Sequence, residues 1–182
     1  MTKRIEDMDD MIKGYMADYE AAIAAVDEVV GIGRRSAEVI VSEIGIDMSR
    51  FPSAAHLCSW AGLCPGNYKS AGKRQYGKTT KGNKALKSIL TQCAKASKNV
   101  KASFFSAQYQ RVAAHRGKNR ATVAVAHSML IAIYHILKNG VAFRDLGSDY
   151  YNYFNREHKI RAYLKRLSSL GWTPNTEVTV PA

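Results

Sequence analysis

The chain has 182 residues, 46% of them hydrophobic, enough to bury one core with an appendage beside it. Its net charge of +12 is uneven: residues 1–47 carry eleven acidic and five basic side chains, residues 48–144 none and seventeen, and residues 145–182 four and five. A stretch of 97 residues without a carboxylate excludes from that region any site built on clustered or paired carboxylates, such as two-metal phosphoryl transfer or glycoside hydrolysis, and makes a polyanion the natural partner.

Residues 3 to about 27 read as one helix, because Ile5, Met8, Met11, Ile12, Tyr15, Met16, Tyr19, Ile23 and Val26 recur at steps of three and four. The narrow apolar seam and acidic opposite face suit a coiled-coil-like arm, and packing on the chain's own domain fits the same periodicity. Gly31, Ile32 and Gly33 then separate this helix from a second one over about Arg35 to Ile44, closed by Gly45. The arrangement is similar to a helix-hairpin-helix motif over 28–45, in which a glycine turn and a helix N-terminus meet one DNA phosphate, here flanked by Arg34 and Arg35. A glycine-rich turn that merely allows close packing is the competing reading.

A short helix follows Pro52, with Ser53 as N-cap and Leu57, Trp60, Ala61 and Leu63 as its buried side. His56 reads as a surface residue rather than a base. Pro65 delivers the chain into GNYKSAGKRQYGKTTKGNKALK, residues 66–87, which hold seven basic residues, four glycines, two tyrosines and no carboxylate. Glycines allow close backbone approach and the cations attract phosphate irrespective of base sequence; a solvated basic loop is the plainer alternative. The cations expected to contact DNA are Lys69, Lys73, Arg74, Lys78, Lys81 and Lys84, together with Gly31, Gly33, Arg34 and Arg35 of the hairpin.

Asn83 caps an amphipathic helix over Lys84 to Lys98 that turns Leu86, Ile89, Leu90, Cys93 and Ala94 inward. A further segment, Ala102 to His115, precedes the basic turn Arg116–Arg120. Ala121 to Asn139 is apolar around most of its circumference and stopped by Gly140, which predicts the central core helix. His127 and His135 lie eight apart with no third metal ligand visible. A last helix is expected over about Arg156 to Ser169.

No apolar run approaches the roughly 18 residues of a membrane span, and the first ten residues lack the apolar core of a signal peptide. Cys58, Cys64 and Cys93 are odd in number and not spaced as metal ligands, which points to reduced thiols in a cytoplasmic protein. The expected fold is all-α: a helical arm over 1–27, a compact core over 28–147, and a C-terminal helix and tail over 148–182.

The order of these signals is itself specific. VVGIGRRSAEVIVSEIG, FPSAAHLCSWAGLCPGNYKSAGKRQYGKTTKGNKALKSIL, RGKNRATVAVAHSMLIAIYHIL and RDLGSDYY, in that sequence, resemble the C-terminal domain of the IS-110/IS-116/IS-902 insertion-sequence transposases. The resemblance implies a DNA recombinase with an N-terminal RuvC-like nuclease domain, a coiled-coil connection, and a C-terminal domain that contributes a serine; some members are guided by a structured bridge RNA. This chain shows no counterpart of the RuvC-like domain, and its first helix reads as the end of the connection. Ser70 is the match to the family's serine nucleophile, although Ala71 stands where glycine often follows. The resemblance further implies DNA as partner and nucleoid association when bound to it; the seam of the first helix reads as a self-association arm, and a cytoplasmic protein without a membrane is expected. The resemblance implies no cofactor in this chain and magnesium in the nuclease domain alone. A non-enzymatic nucleic-acid-binding module built on the hairpin and basic loop is the alternative.

Overall fold

The apolar stripe that runs from Ile5 to Val26 is divided in the structure. A computed structural model describes residues 2–66, 69–70, 73–74, 79–154 and 156–172. In it, α1 (Thr2–Tyr15) ends at a 3-10 turn over Ala17–Tyr19, and α2 (Glu20–Asp27) starts afresh. Met16 leaves the helical region at φ −97° and ψ 5°, two residues after Gly14, a residue that weakens a helix interior. Ile23 and Val26 reach the core, whereas Ile5, Met8, Met11 and Tyr15 remain exposed. The single coiled-coil-like helix expected over 3–27 is therefore two helices, and only the second half of its seam is buried within this chain. An ion pair between Asp9 of α1 and Arg35 ties the first half to the chain beyond α2.

Contacts divide the chain into two units, Met1–Ser148 and Asp149–Ala182. In the first, α4 (Ala54–Trp60), α5 (Lys84–Ser97) and α6 (Phe104–Arg116) gather with α2 around α7 (Lys118–Asn139), and α3 (Arg34–Ile44) packs against α2 and α5. The centre is made of Val125, Met129, Leu130 and Ile133 of α7, packed with Leu86, Leu90 and Ala94 of α5, Ile40 and Ile44 of α3, and Leu57 of α4. Burying one such leucine or isoleucine contributes about 1.5–3 kcal/mol. By length and composition alone α7 could cross a membrane, although the sequence shows no unbroken apolar run of that length. Its apolarity is explained by its place at the middle of the bundle. Tyr134, buried on α7, donates its hydroxyl to the Phe51 carbonyl at 3.1 Å.

Helix ends obey their capping chemistry. Asn83 Oδ1 accepts from the Leu86 amide at 3.0 Å, Ser103 Oγ from the Ser106 amide at 3.1 Å, and Gly140 ends α7 in the left-handed region. Ser53 holds the N-cap position of α4, but its hydroxyl meets His56 Nδ1 at 2.8 Å instead of a backbone amide. Trp60, expected inside, is 42% exposed and leans on the Phe51 ring with 5.7 Å between centroids. The second unit consists of α8 (Tyr150–Phe154) and α9 (Arg156–Ser169). The fold is all-α; among the described residues the one paired ladder is a two-residue hairpin inside the basic loop, β1 (Lys69–Ser70) with β2 (Lys73–Arg74).

Candidate nucleic-acid interface

The basic loop leaves and re-enters the domain through a tightly closed stem. Pro65 and Thr79 form an antiparallel bridge, the Thr80 amide donates to the Cys64 carbonyl at 3.1 Å, and the Asn83 amide donates to the Trp60 carbonyl at 3.2 Å. Gly62 and Gly82 make this closeness possible. A Cβ on Gly82 would lie 2.3 Å from the Gly62 nitrogen, and one on Gly62, which has φ +70°, would lie 2.8 Å from the Thr80 carbonyl. Any larger side chain would have to push backbone from backbone. Asn83 adds a side-chain tie, its Nδ2 donating to Glu43 of α3 at 2.6 Å. Lys87 donates its ammonium to Thr79 Oγ1.

Beyond the stem, backbone pairing places Ser70 opposite Lys73 and Lys69 opposite Arg74. The serine expected to be the nucleophile is thus flanked in backbone register by three of the expected DNA-contacting cations. Their side chains and the whole of Lys78 lie outside the described residues. Lys81 and Lys84 are exposed on the returning strand of the stem and the first turn of α5.

The hairpin between α2 and α3 is built differently from a phosphate cradle. Gly31 has φ +88°, and a Cβ there would meet Ser97 Cβ at 2.5 Å and the Cys93 carbonyl at 2.8 Å, so the glycine exists to let the turn lie against α5. Gly33 is open, with nothing within 4 Å of its Cβ position. Arg34 grips Glu20 through two 2.6 Å hydrogen bonds and Glu38 through a third at 3.0 Å. Arg35 bonds Glu38 at 3.1 Å and Asp9. The Arg34 hydrogen bond holds the Glu20 carboxyl below its usual range, and Glu20 and then Glu38 raise the guanidinium in turn. The two arginines expected to flank a DNA phosphate are already paired to carboxylates of the acidic N-terminal segment, and the geometry supports close packing over a helix-hairpin-helix phosphate site.

A cleft of about 850 Å³ opens at the foot of the basic loop. Leu63, Pro65, Gly66 and Thr79 of the stem form one wall; Gln108, Val112 and Arg116 of α6 form the second. The third is the N-terminal half of α7, with Asn119 and Arg120 exposed and Val123, Ala124 and His127 half-buried. Among the described residues, no carboxylate lines it. Burial pushes the His127 imidazole below its ordinary pKa, which favours the neutral ring. Gln108 Nε2 donates to Ser128 Oγ at 2.8 Å, and Gln108 Oε1 is buried without a partner. Cys58 lies behind, its thiol 3.8 Å from the His127 carbonyl and pushed up to about 12, chiefly by burial and then by Cys64, so it is no nucleophile. Among the described residues no group of three or more His, Cys, Asp or Glu side chains is placed to hold a metal ion.

The basic turn Arg116–Arg120 was readable in the sequence, but its link to the loop was not. Lys118, Asn119 and Arg120 belong to the first turn of α7, whose N-terminus is capped by no side chain, and α6 brings Arg116 to the cleft that Pro65 and Gly66 also line. His127 stood out in the sequence only through its spacing to His135; its place in the cleft depends on the stem packed opposite.

Together these features define an all-α domain whose carboxylate-free half surrounds a basic serine loop and a cationic cleft. Residues 23–110, just under half of the chain, match the family described as Transposase IS116/IS110/IS902, and that stretch is assigned to the family. The chain is also 32% identical over 117 residues to a Streptomyces coelicolor protein described as "Insertion element IS110 uncharacterized 43.6 kDa protein". That alignment covers 62% of the chain and 28% of the relative, so the chain spans well under half of the relative's length.

Proposed function

We propose that this chain is the DNA-binding, serine-bearing part of an insertion-sequence transposase, acting in DNA transposition by phosphodiester strand exchange through a composite site. The observation that carries the reading is the family match over residues 23–110, which contains the stem, Ser70 and the cations in register with it. In the proposed step the Ser70 hydroxyl attacks phosphorus and its proton passes to a carboxylate of a partner nuclease domain. The P–O bond to the departing strand breaks, and that oxygen leaves as a hydroxyl after taking up a proton. Lys69, Lys73 and Arg74 stabilise the charge that develops on the non-bridging oxygens, and Lys78, Lys81 and Lys84 hold flanking phosphates.

Residues 48–144 contain no carboxylate, and among the described residues no group of three or more His, Cys, Asp or Glu is placed to hold a metal ion. Magnesium belongs to the nuclease domain that the family resemblance implies, and no step here passes through it. The same reading places the protein in the cytoplasm, on DNA, with self-association through the exposed seam of α1 and a guide RNA as a further partner. For the non-enzymatic alternative, built on the hairpin and the basic loop, the hairpin offers less because Arg34 and Arg35 are paired to carboxylates, and the basic loop is common to both readings.

Trapping tests the reading. With a nuclease domain of the same family supplied and a cleavable DNA substrate, denaturing electrophoresis should show a covalent protein–DNA adduct that Ser70→Ala abolishes. An undiminished adduct in the variant refutes the assignment of Ser70.

A further inference from the structure

We infer that the cleft at the foot of the basic loop holds an unpaired nucleotide of single-stranded DNA, with its base inside and its phosphate at the mouth. The inference rests on the proposed DNA-binding role and adds the form of the substrate. Its volume of about 850 Å³ falls within the roughly 300–1,000 Å³ of pockets that enclose small organic ligands. Its walls divide by exposure: Arg116, Asn119 and Arg120 are exposed, Val112, Val123, Ala124 and His127 half-buried, and Leu63 buried. Leu63, Val112, Val123 and Ala124 give an apolar slot for the faces of a base, and the neutral His127 ring supplies both a polar edge and a flat surface for stacking.

At the mouth, Arg116 and Arg120 stand beside the first turn of α7, where backbone amides without a side-chain cap and the helix dipole add positive potential. None of the described lining residues is acidic, so no carboxylate among them opposes a phosphate there. A base-paired duplex would reach the arginines with its backbone and leave the slot empty, because its bases are stacked and cannot enter a pocket without leaving the helix. An extrahelical nucleotide satisfies both halves. The stem residues Pro65, Gly66 and Thr79 form a wall of the same cleft, so a nucleotide seated there is anchored beside the two strands that lead to Ser70.

The test uses the full chain and three fluorescein-labelled probes, read by fluorescence anisotropy: a 20-nucleotide single-stranded DNA, its duplex, and the RNA of the same sequence. Ala124→Phe and Val112→Phe each fill the slot without altering charge. Each should weaken single-stranded DNA binding by roughly tenfold, the size expected for one stacked base, and leave duplex binding within about twofold. Arg116→Gln should weaken single strand and duplex alike and reduce the salt slope by about one. Far-UV circular dichroism confirms folding, and a variant that misfolds leaves the other slot-filling variant to decide.

Wild-type affinity for the single strand in both slot-filling variants, or an equal loss on single strand and duplex, overturns the inference while leaving the DNA-binding role intact. Tighter binding of the RNA, with the same sensitivity to Ala124→Phe, overturns DNA as the occupant. Absence of binding to every DNA probe refutes both this inference and the proposed function.

Discussion

Gly31→Ala separates the packing role of the α2–α3 turn from a phosphate-binding role. Alanine at φ +88° takes a left-handed conformation that costs about 1–2 kcal/mol. Its methyl would also lie 2.5 Å from Ser97 Cβ and 2.8 Å from both Ser97 Cα and the Cys93 carbonyl. Two of those three atoms are backbone of α5, which cannot rotate aside, so the turn must lift from the helix; overpacking of this kind costs about 1–3 kcal/mol. The sum, about 2–5 kcal/mol, is a large share of the roughly 5–15 kcal/mol that holds a typical domain together.

Gly33 is the built-in control. At φ −113° with nothing within 4 Å of its Cβ position, it accepts alanine without strain. The gain from a less flexible unfolded chain, about 0.4–1 kcal/mol, is opposed by alanine's poorer N-capping, so the net change stays within about 0.5 kcal/mol. In urea unfolding monitored by circular dichroism, a denaturant slope of about 2 kcal/mol/M turns the Gly31→Ala loss into a midpoint lower by about 1–2.5 M. Gly33→Ala should unfold with the wild type. A Gly31→Ala midpoint equal to the wild type, or a Gly33→Ala midpoint just as low, refutes the packing argument. Equal losses of DNA affinity in the two variants, with stability unchanged, would restore the phosphate cradle.

The stem and the cleft each supply one more expected outcome. Asn83→Ala removes both the amide cap of α5 and the tie to Glu43, and should lower stability by about 1–2 kcal/mol in the same unfolding assay; an unchanged midpoint would mean neither bond matters. His127 is held neutral by burial, so its folded pKa lies below the ordinary value of about 6.5. The unfolded chain therefore takes up this proton first as pH falls. The stability contribution is fully present above pH 6.5, declines between that pH and the lower folded pKa, and levels off below it. Comparing unfolding midpoints at pH 7.5 and 5.5, His127→Gln should show a smaller drop than the wild type, and an identical drop would exclude His127 as a source.

Much of the helical framework was legible because it rests on local rules. The 3.6-residue stripe of Leu86, Leu90, Cys93 and Ala94 marked α5, Asn83 marked its start, and Gly140 marked the end of α7. The misreadings fall where distant residues intervene. Periodicity carried the first helix through Met16, but the chain turns over Ala17–Tyr19; Met16 is partly buried against the core, and Ile23 and Val26 beyond the turn are fully buried. Trp60 lay on the apolar side of α4 by spacing, and Phe51 supports it at the surface instead.

The candidate interface divides in the same way. Sequence by itself determined the charge division, the serine in a glycine-rich cationic loop, the all-α class and the family to which the pattern belongs, because composition and residue order survive without coordinates. Tertiary structure alone decided which cations are committed. Arg34 and Arg35 lie next to each other in a turn that looks exposed, yet Glu20 and Asp9, 14 and 26 residues away, come back to meet them. It also decided that Arg116, Arg120 and His127 share a cleft with the loop's stem, since the approach of Gly62 to Gly82 and the placement of the stem opposite α6 and α7 join residues far apart in the chain. Charge is a property of the residue; whether it is free to meet a phosphate depends on what the fold sets beside it.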